Sequence, residues 1–290
     1  MRDFIIVTDS ASDLSDDLAK SLDIEVLPLK FVIDGVEYPD YLDHRSMNPK
    51  DFYDRVRKGM MPSTAQVNVQ EYVDACEKLI KAQKDILILT FSSALSGTYN
   101  SARLAVEQLR ETYPTFKIHL VDTLAASLGQ GLIVYQAGKM RKQGYSIEQV
   151  RDDVEKTKLN LAHWFTVSDI NHLKRGGRIS STAAAVANLL NIHPILHVSD
   201  EGKLIARTKV IGRKKALLAL FNKMKETYNP ILHKTVFISH GDDIDAANML
   251  KNMILAELDC DVELINYIGP VIGAHSGPNT IALFFYATSR

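Results

Sequence analysis

Short apolar runs alternate along the chain with stretches in which Leu, Val and Ala recur every three or four positions, and these two periods mark strands and helices. Residues 4–8, 86–91 and 117–121 predict buried strands. Leu14, Leu18 and Leu22 share one helix face, with Asp13 as the expected N-cap. Further helices are predicted over 69–82, 97–110 and 132–143. Ser146 and Gln149 form the capping box of another that runs to Lys158. Residues 25–32 predict a single strand, closed by a tight turn at Asp34-Gly35. The stretch 38–69 is irregular, broken by Pro39, Pro49 and Pro62 around one short helix near 50–57.

Beyond residue 160 the rhythm changes. Strands are predicted at 163–167, 195–198, 203–208, 235–239, 262–267 and 280–287, interrupted only by helices at 212–227 and 244–257. Strands alternating with helices predict an α/β protein. The change of rhythm divides it into an N-terminal domain, 1–160, and a C-terminal domain, 161–290. Strands end in polar loops at Asp9-Ser10, Ser92-Ser93, Asp122-Thr123 and Ser239-His240-Gly241. Ligands of open parallel sheets sit at the carboxyl ends of the strands, so these loops are candidate sites on architecture alone.

Composition narrows the class. The 290 residues are 46% hydrophobic and 24% charged, as in an ordinary soluble protein. A net charge of -1 lacks the basic footprint of a nucleic-acid binder. Cys76 and Cys260 have no paired spacing, so neither a disulfide framework nor a zinc site is expected, and a reducing cytoplasm is the expected compartment. The strand-like start reaches Asp9 too soon for a signal peptide. No apolar run approaches the roughly 20 residues of a membrane span.

The chemistry concentrates in hydroxyl-rich loops. In "LTFSSALSGTYNSA", residues 89–102, a strand ends in Ser92, Ser93, Ser96 and Thr98 with no acid, histidine or cysteine beside them. They are either nucleophiles activated from elsewhere or donors that hold a ligand. A helix N-terminus suits an anion; Gly97 would let a ligand oxygen approach the backbone, and Ser96 can donate there. Ser63 and Thr64 of "PSTAQ" add donors. The plainer alternative makes Ser96 an N-cap and Ser63-Thr64 an ordinary turn. A serine nucleophile would need His240 or His275 as base and Asp9 or Asp122 to orient it, but no G-x-S-x-G elbow is present. "HLKRGGRIS", 172–180, sets Lys174, Arg175 and Arg178 around two glycines and suits phosphate, or is a solvated turn. It lacks the ending of a P-loop. "GPVIGAHSGPNT", 269–280, reads as a rigid bend around His275 that could place an imidazole beside an anion. Asp242-Asp243 fits helix capping better than a metal site.

Taken together, "VTDSASDL" (7–14), "PSTAQ" (62–66), "SSALSGTYNSA" (92–102), "LKRGGRIS" (173–180) and "GAHSGPNT" (273–280) resemble the DegV family in order and over essentially the whole chain. The resemblance implies an N-terminal three-layer domain with a parallel sheet and a C-terminal two-layer domain with a mixed sheet. A long-chain fatty acid is expected between them. Thr64 and Ser96 would hold its carboxylate with His275 nearby, and Ser63, Ser93 and Gly97 would complete the ligand loops. Asn279 stands where the family pattern has the second glycine of Gly-Pro-Gly, a departure that puts the backbone beside His275, and so its role, in question. The implied protein is a carrier without catalytic residues, metal or cofactor. It presents the carboxyl group to a fatty acid kinase, with Lys174, Arg175 and Arg178 facing the partner or the phosphate, and touches membranes at most peripherally for lipid exchange. The competing reading is a serine hydrolase or a phosphate-handling enzyme acting on an acyl or small phosphorylated substrate.

Overall fold

The computed structural model describes residues 2–180 and 191–290. Strand β1 (Phe4–Asp9) pairs in parallel with β2 (Ile24–Leu27) and β6 (Asp85–Thr90), and β6 pairs in parallel with β7 (Ile118–Asp122), giving the order β2-β1-β6-β7. The two central strands are buried at every position. Continuous apolar runs such as "FIIV" and "ILIL" suit strands covered on both faces. Helices α3 (Val69–Lys81) and α4 (Thr98–Thr112) pack on one face, and α5 (Leu128–Lys142) with α6 (Ile147–Thr157) on the other. The capping box at Ser146 and Gln149 closes as expected, and Asn68 with Glu71 forms a second at the start of α3.

A mixed sheet follows: β8 (Leu161–Thr166), β9 (Ile192–Val198), β10 (Leu204–Ile211), β11 (Thr235–His240), β12 (Asp261–Tyr267) and β13 (Ile281–Tyr286). Its order is β10-β9-β8-β13-β11-β12, antiparallel except between β11 and β12. Helices α8 (Arg213–Thr227) and α9 (Ile244–Glu257) cover one face. The other face turns toward α5, which therefore touches both sheets. A helix apolar all round belongs in such a position, and α5 is buried continuously from Leu128 to Gly138.

Local reading and structure part at several places. Residues 25–32 are not one strand. Pro28 and Leu29 interrupt the run, and the chain leaves the parallel sheet to form β3 (Lys30–Ile33). With β4 (Val36–Pro39) and β5 (Ser63–Ala65), β3 makes a small antiparallel sheet. Helix α5 begins a turn before the expected residue 132, at Leu128, and its Gly129 and Gly131 sit where a Cβ would strike His163 and the backbone of Ser12. The N-cap of α1 (Asp16–Ser21) is Ser15, not Asp13. Residues 269–280 are not merely a bend: helix α10 (Pro270–Ser276) occupies most of them.

Candidate functional site

The carboxyl ends of the parallel strands and the inner face of the mixed sheet line a cavity, partly open to solvent, with about 920 Å³ of empty space including its mouth. Its wall is mainly apolar, built from Phe91, Leu95, Phe165, Leu204, Ile268 and Phe284 among others. Polar groups enter from three loops. β5 pairs with β3 so that Thr64 lies opposite Phe31, which fixes its height at the cavity edge. The turn after β6 brings Ser96, and the last turn of α10 brings His275.

Thr64 Oγ1 and His275 Nε2 are hydrogen-bonded at 2.9 Å. Burial, with Arg178 nearby adding to it, pushes the His275 imidazole down from 6.5 to about 4. The ring is therefore neutral near pH 7 and has one nitrogen to donate. Its Nδ1 is buried without a partner, and it faces Gly176, where a Cβ would overlap the ring. Ser96 Oγ accepts the Thr98 amide at 3.2 Å and pairs with Thr98 Oγ1 at 2.9 Å. It thus serves the first turn of α4 while lining the cavity, but it is not the N-cap of the plainer reading, and Ser63-Thr64 lie in strand β5 and not in a turn. Gly97 is the N-cap of α4 and is likewise in the wall; a Cβ there would collide with the Gln66 amide.

A second hollow, with about 750 Å³ of empty space, adjoins the first and is lined by Ser63, His172, Arg175 and Gly176. Thr64, Arg178 and His275 border both, so they stand at the junction between an apolar chamber and a vestibule of mixed lining, in which Met61, Pro62 and Ala274 lie beside the polar groups.

The basic loop divides into separate parts. Arg178 donates to the carbonyls of Leu95 at 3.0 Å and Gly176 at 2.5 Å, tying α7 (Asn171–Arg175) and its following turn to the residue before Ser96. Burial lowers the affinity of Arg178 for its proton. Arg175 is exposed in the vestibule, its guanidinium against His172 Nδ1 at 3.1 Å. Lys174 is exposed and lines neither hollow. Ser93 lies apart from both, an exposed residue whose amide bonds the Asp122 carboxylate at 3.2 Å.

Among the described residues the candidate hydrolytic triad does not assemble. The hydroxyl on His275 belongs to Thr64, Ser96 pairs with Thr98, and His240 Nδ1 accepts the Asp243 amide. Asp9 and Asp122 hold backbone amides, not a histidine. Among the described residues no three His, Cys, Asp or Glu side chains group as metal ligands.

Sequence reading missed Gln66, Ser276, Ser127 and His163, all in the cavity wall. Gln66 and Ser276 adjoin predicted residues within two of the motifs. His163 carries no local signal, because a strand position reveals nothing of what faces it.

A DegV family model, described as uncharacterised protein, matches residues 3–288. The chain belongs to the DegV family. A DegV domain-containing protein of Clostridium perfringens is 49% identical over 291 residues, covering 100% of this chain and 99% of its own. A DegV protein of Thermus thermophilus, described as fatty acid binding, superposes with a TM-score of 0.87 at 31% identity, covering 99% and 100% of the two chains. The fatty acid kinase B3 protein of Streptococcus pneumoniae, loaded with linoleic acid, shares the DegV fold at 20% identity and TM-score 0.85, with 98% and 99% covered. The parallel and mixed sheets described above are those of the family.

Proposed function

We propose that this DegV protein binds a long-chain fatty acid in the cavity, with the carboxylate on Thr64, Ser96 and His275 and the tail against the apolar wall. One observation carries the reading: a large apolar chamber ends in two hydroxyls and a neutral imidazole. Hydroxyls and imidazole can donate to a carboxylate while leaving it unattacked, which suits a carrier. The fatty-acid-binding Thermus relative supports the same class of ligand. The adjoining vestibule, with Ser63, His172 and Arg175 in its wall, supports presentation of the carboxyl group to a fatty acid kinase, which would supply the catalysis. Arg175 is the basic side chain placed to meet that partner or the incoming phosphate. Residues 1–160 and 161–290 act as the two halves that hold the ligand, in the cytoplasm.

Native mass spectrometry tests the binding: a co-purified anion of fatty-acid mass is expected, and an empty protein that fails to take up stearate refutes it. For presentation, Arg175→Glu is expected to lower acyl phosphate formation with a kinase and leave stearate affinity unchanged. Collapse of stearate binding in that variant would show the assignment to be wrong.

A further inference from the structure

Helix α10 delivers His275 from its last turn, so whatever fixes its first turn also fixes the imidazole. Two carboxylates from the other half of the chain do this. Asp13 Oδ1 accepts the amide of Gly269 at 2.9 Å, and Asp40 Oδ2 accepts that of Val271 at 3.3 Å. The backbone carbonyl of Asp13 also takes the Asn266 side chain at 2.9 Å, on the strand that leads into the helix. A Cβ at position 269 would sit 2.9 Å from Asp13 Oδ1 and 3.3 Å from Asp40 Oδ2, so any larger residue would push both carboxyl groups back from the helix start.

Asp13 is itself held. Its second oxygen accepts the Ser127 hydroxyl at 2.5 Å, and Ser127 Oγ contacts Ser239 Oγ at 3.1 Å. Both residues occupy uncommon backbone conformations, Asp13 at φ 52° and Ser127 at φ 53°, ψ -148°. Such conformations persist where surrounding contacts over-determine them. Ser127 also lines the lipid cavity. The Asp13 carboxyl group thus bridges the cavity wall and the helix that carries the head-group imidazole.

We infer that Asp13, supported by Asp40, is the positioning residue for the head-group site: it sets where α10 begins and so holds His275 on Thr64. This rests on the fatty-acid reading above. It adds a residue that touches no ligand and acts through the helix.

The test compares palmitate with hexadecanol, which has the same tail and no carboxylate, by competitive displacement of a fluorescent lipid. Asp13→Ala is expected to weaken palmitate about tenfold, the equivalent of one hydrogen bond to a charged group, and to leave hexadecanol unchanged. Asp13→Asn should restore palmitate, because the amide can accept from Gly269 and donate to Ser127. In a His275→Ala background, Asp13→Ala should cost palmitate nothing further. Equal losses for palmitate and hexadecanol, or an undiminished loss without His275, would overturn the inference. Should Asp13→Ala fail to fold, Asp40→Ala, which removes only the Val271 bond, carries the same comparison. Imidazole nitrogen resonances of ligand-free protein provide a readout independent of lipid. The Thr64-bonded signal of His275 should be lost in Asp13→Ala and return in Asp13→Asn, and a signal unmoved by Asp13→Ala refutes the inference. If the unaltered protein binds neither lipid, the fatty-acid reading fails while this arm still decides the positioning role.

Discussion

Replacing Thr64 with valine removes one hydroxyl and keeps the β-branched shape that suits β5. Two consequences follow from the structure. The 2.9 Å bond to His275 Nε2 is lost, leaving both ring nitrogens of a buried imidazole without partners. On the proposed placement, a bound carboxylate also loses one donor. A hydrogen bond to a charged group is worth about 1.5–3 kcal/mol, so affinity for a fatty acid should fall about 10- to 150-fold. Removing two methylenes from the ligand tail costs about 1.6 kcal/mol, or roughly fifteenfold. One hydroxyl in the head-group site therefore matters about as much as two to four carbons of tail. In the proposed pose the head and tail contacts share no partners, so the two losses should add within about 0.5 kcal/mol. Isothermal titration of the unaltered and Thr64→Val proteins with saturated acids of increasing length, below micelle formation, gives both slopes at once. Parallel lines displaced by the head-group loss are expected. Coincident lines would refute the placement of the carboxylate, and lines flat with chain length would refute burial of the tail.

The remaining expectations use other parts of the molecule. His163 is 2% exposed with neither ring nitrogen partnered, so His163→Leu should stabilise the protein by about 1 kcal/mol, measurable by urea denaturation; a loss of stability would contradict it. Gly176→Ala should displace the His275 ring and weaken fatty-acid binding without much effect on the melting temperature, since the backbone there has φ -70°. Burial pushes the Asp13 carboxyl up from 3.8 to about 7, so the folded state retains a proton that the unfolded state gives up. That stability is fully present below about 3.8 and is lost as pH rises toward 7. Melting temperatures of Asp13→Asn relative to the unaltered protein should accordingly rise across this window. The depressed imidazole of His275 acts in the opposite sense, losing stability as pH falls from 6.5 to about 4. His275→Gln should flatten that acid-side loss.

The sequence by itself determined the features that depend on neighbours along the chain. Apolar periods marked the strands and helices, and Ser146 with Gln149 marked a capping box, because a helix end is closed by residues three positions apart. Parallel strands bring their carboxyl ends to one edge, and the loops after β6 and β7 reach the cavity there through Ser96 and Ser127, although the polar residues directly at the strand ends, such as Asp9, Ser93, Asp122 and His240, do not line it. The motifs named Thr64, Ser96 and His275, all of which line the cavity. Tertiary structure alone decided how those residues meet. The Thr64–His275 bond joins positions 211 apart in the chain, beyond the reach of any local pattern. Asp13 satisfied the local rule for a helix cap, yet the chain turns it inward to an amide 256 residues away, and Ser15 does the capping. Local propensity pointed to Asp13 alone; in the folded chain its carboxyl group is engaged by Gly269, and Ser15, two residues nearer the helix, is the cap.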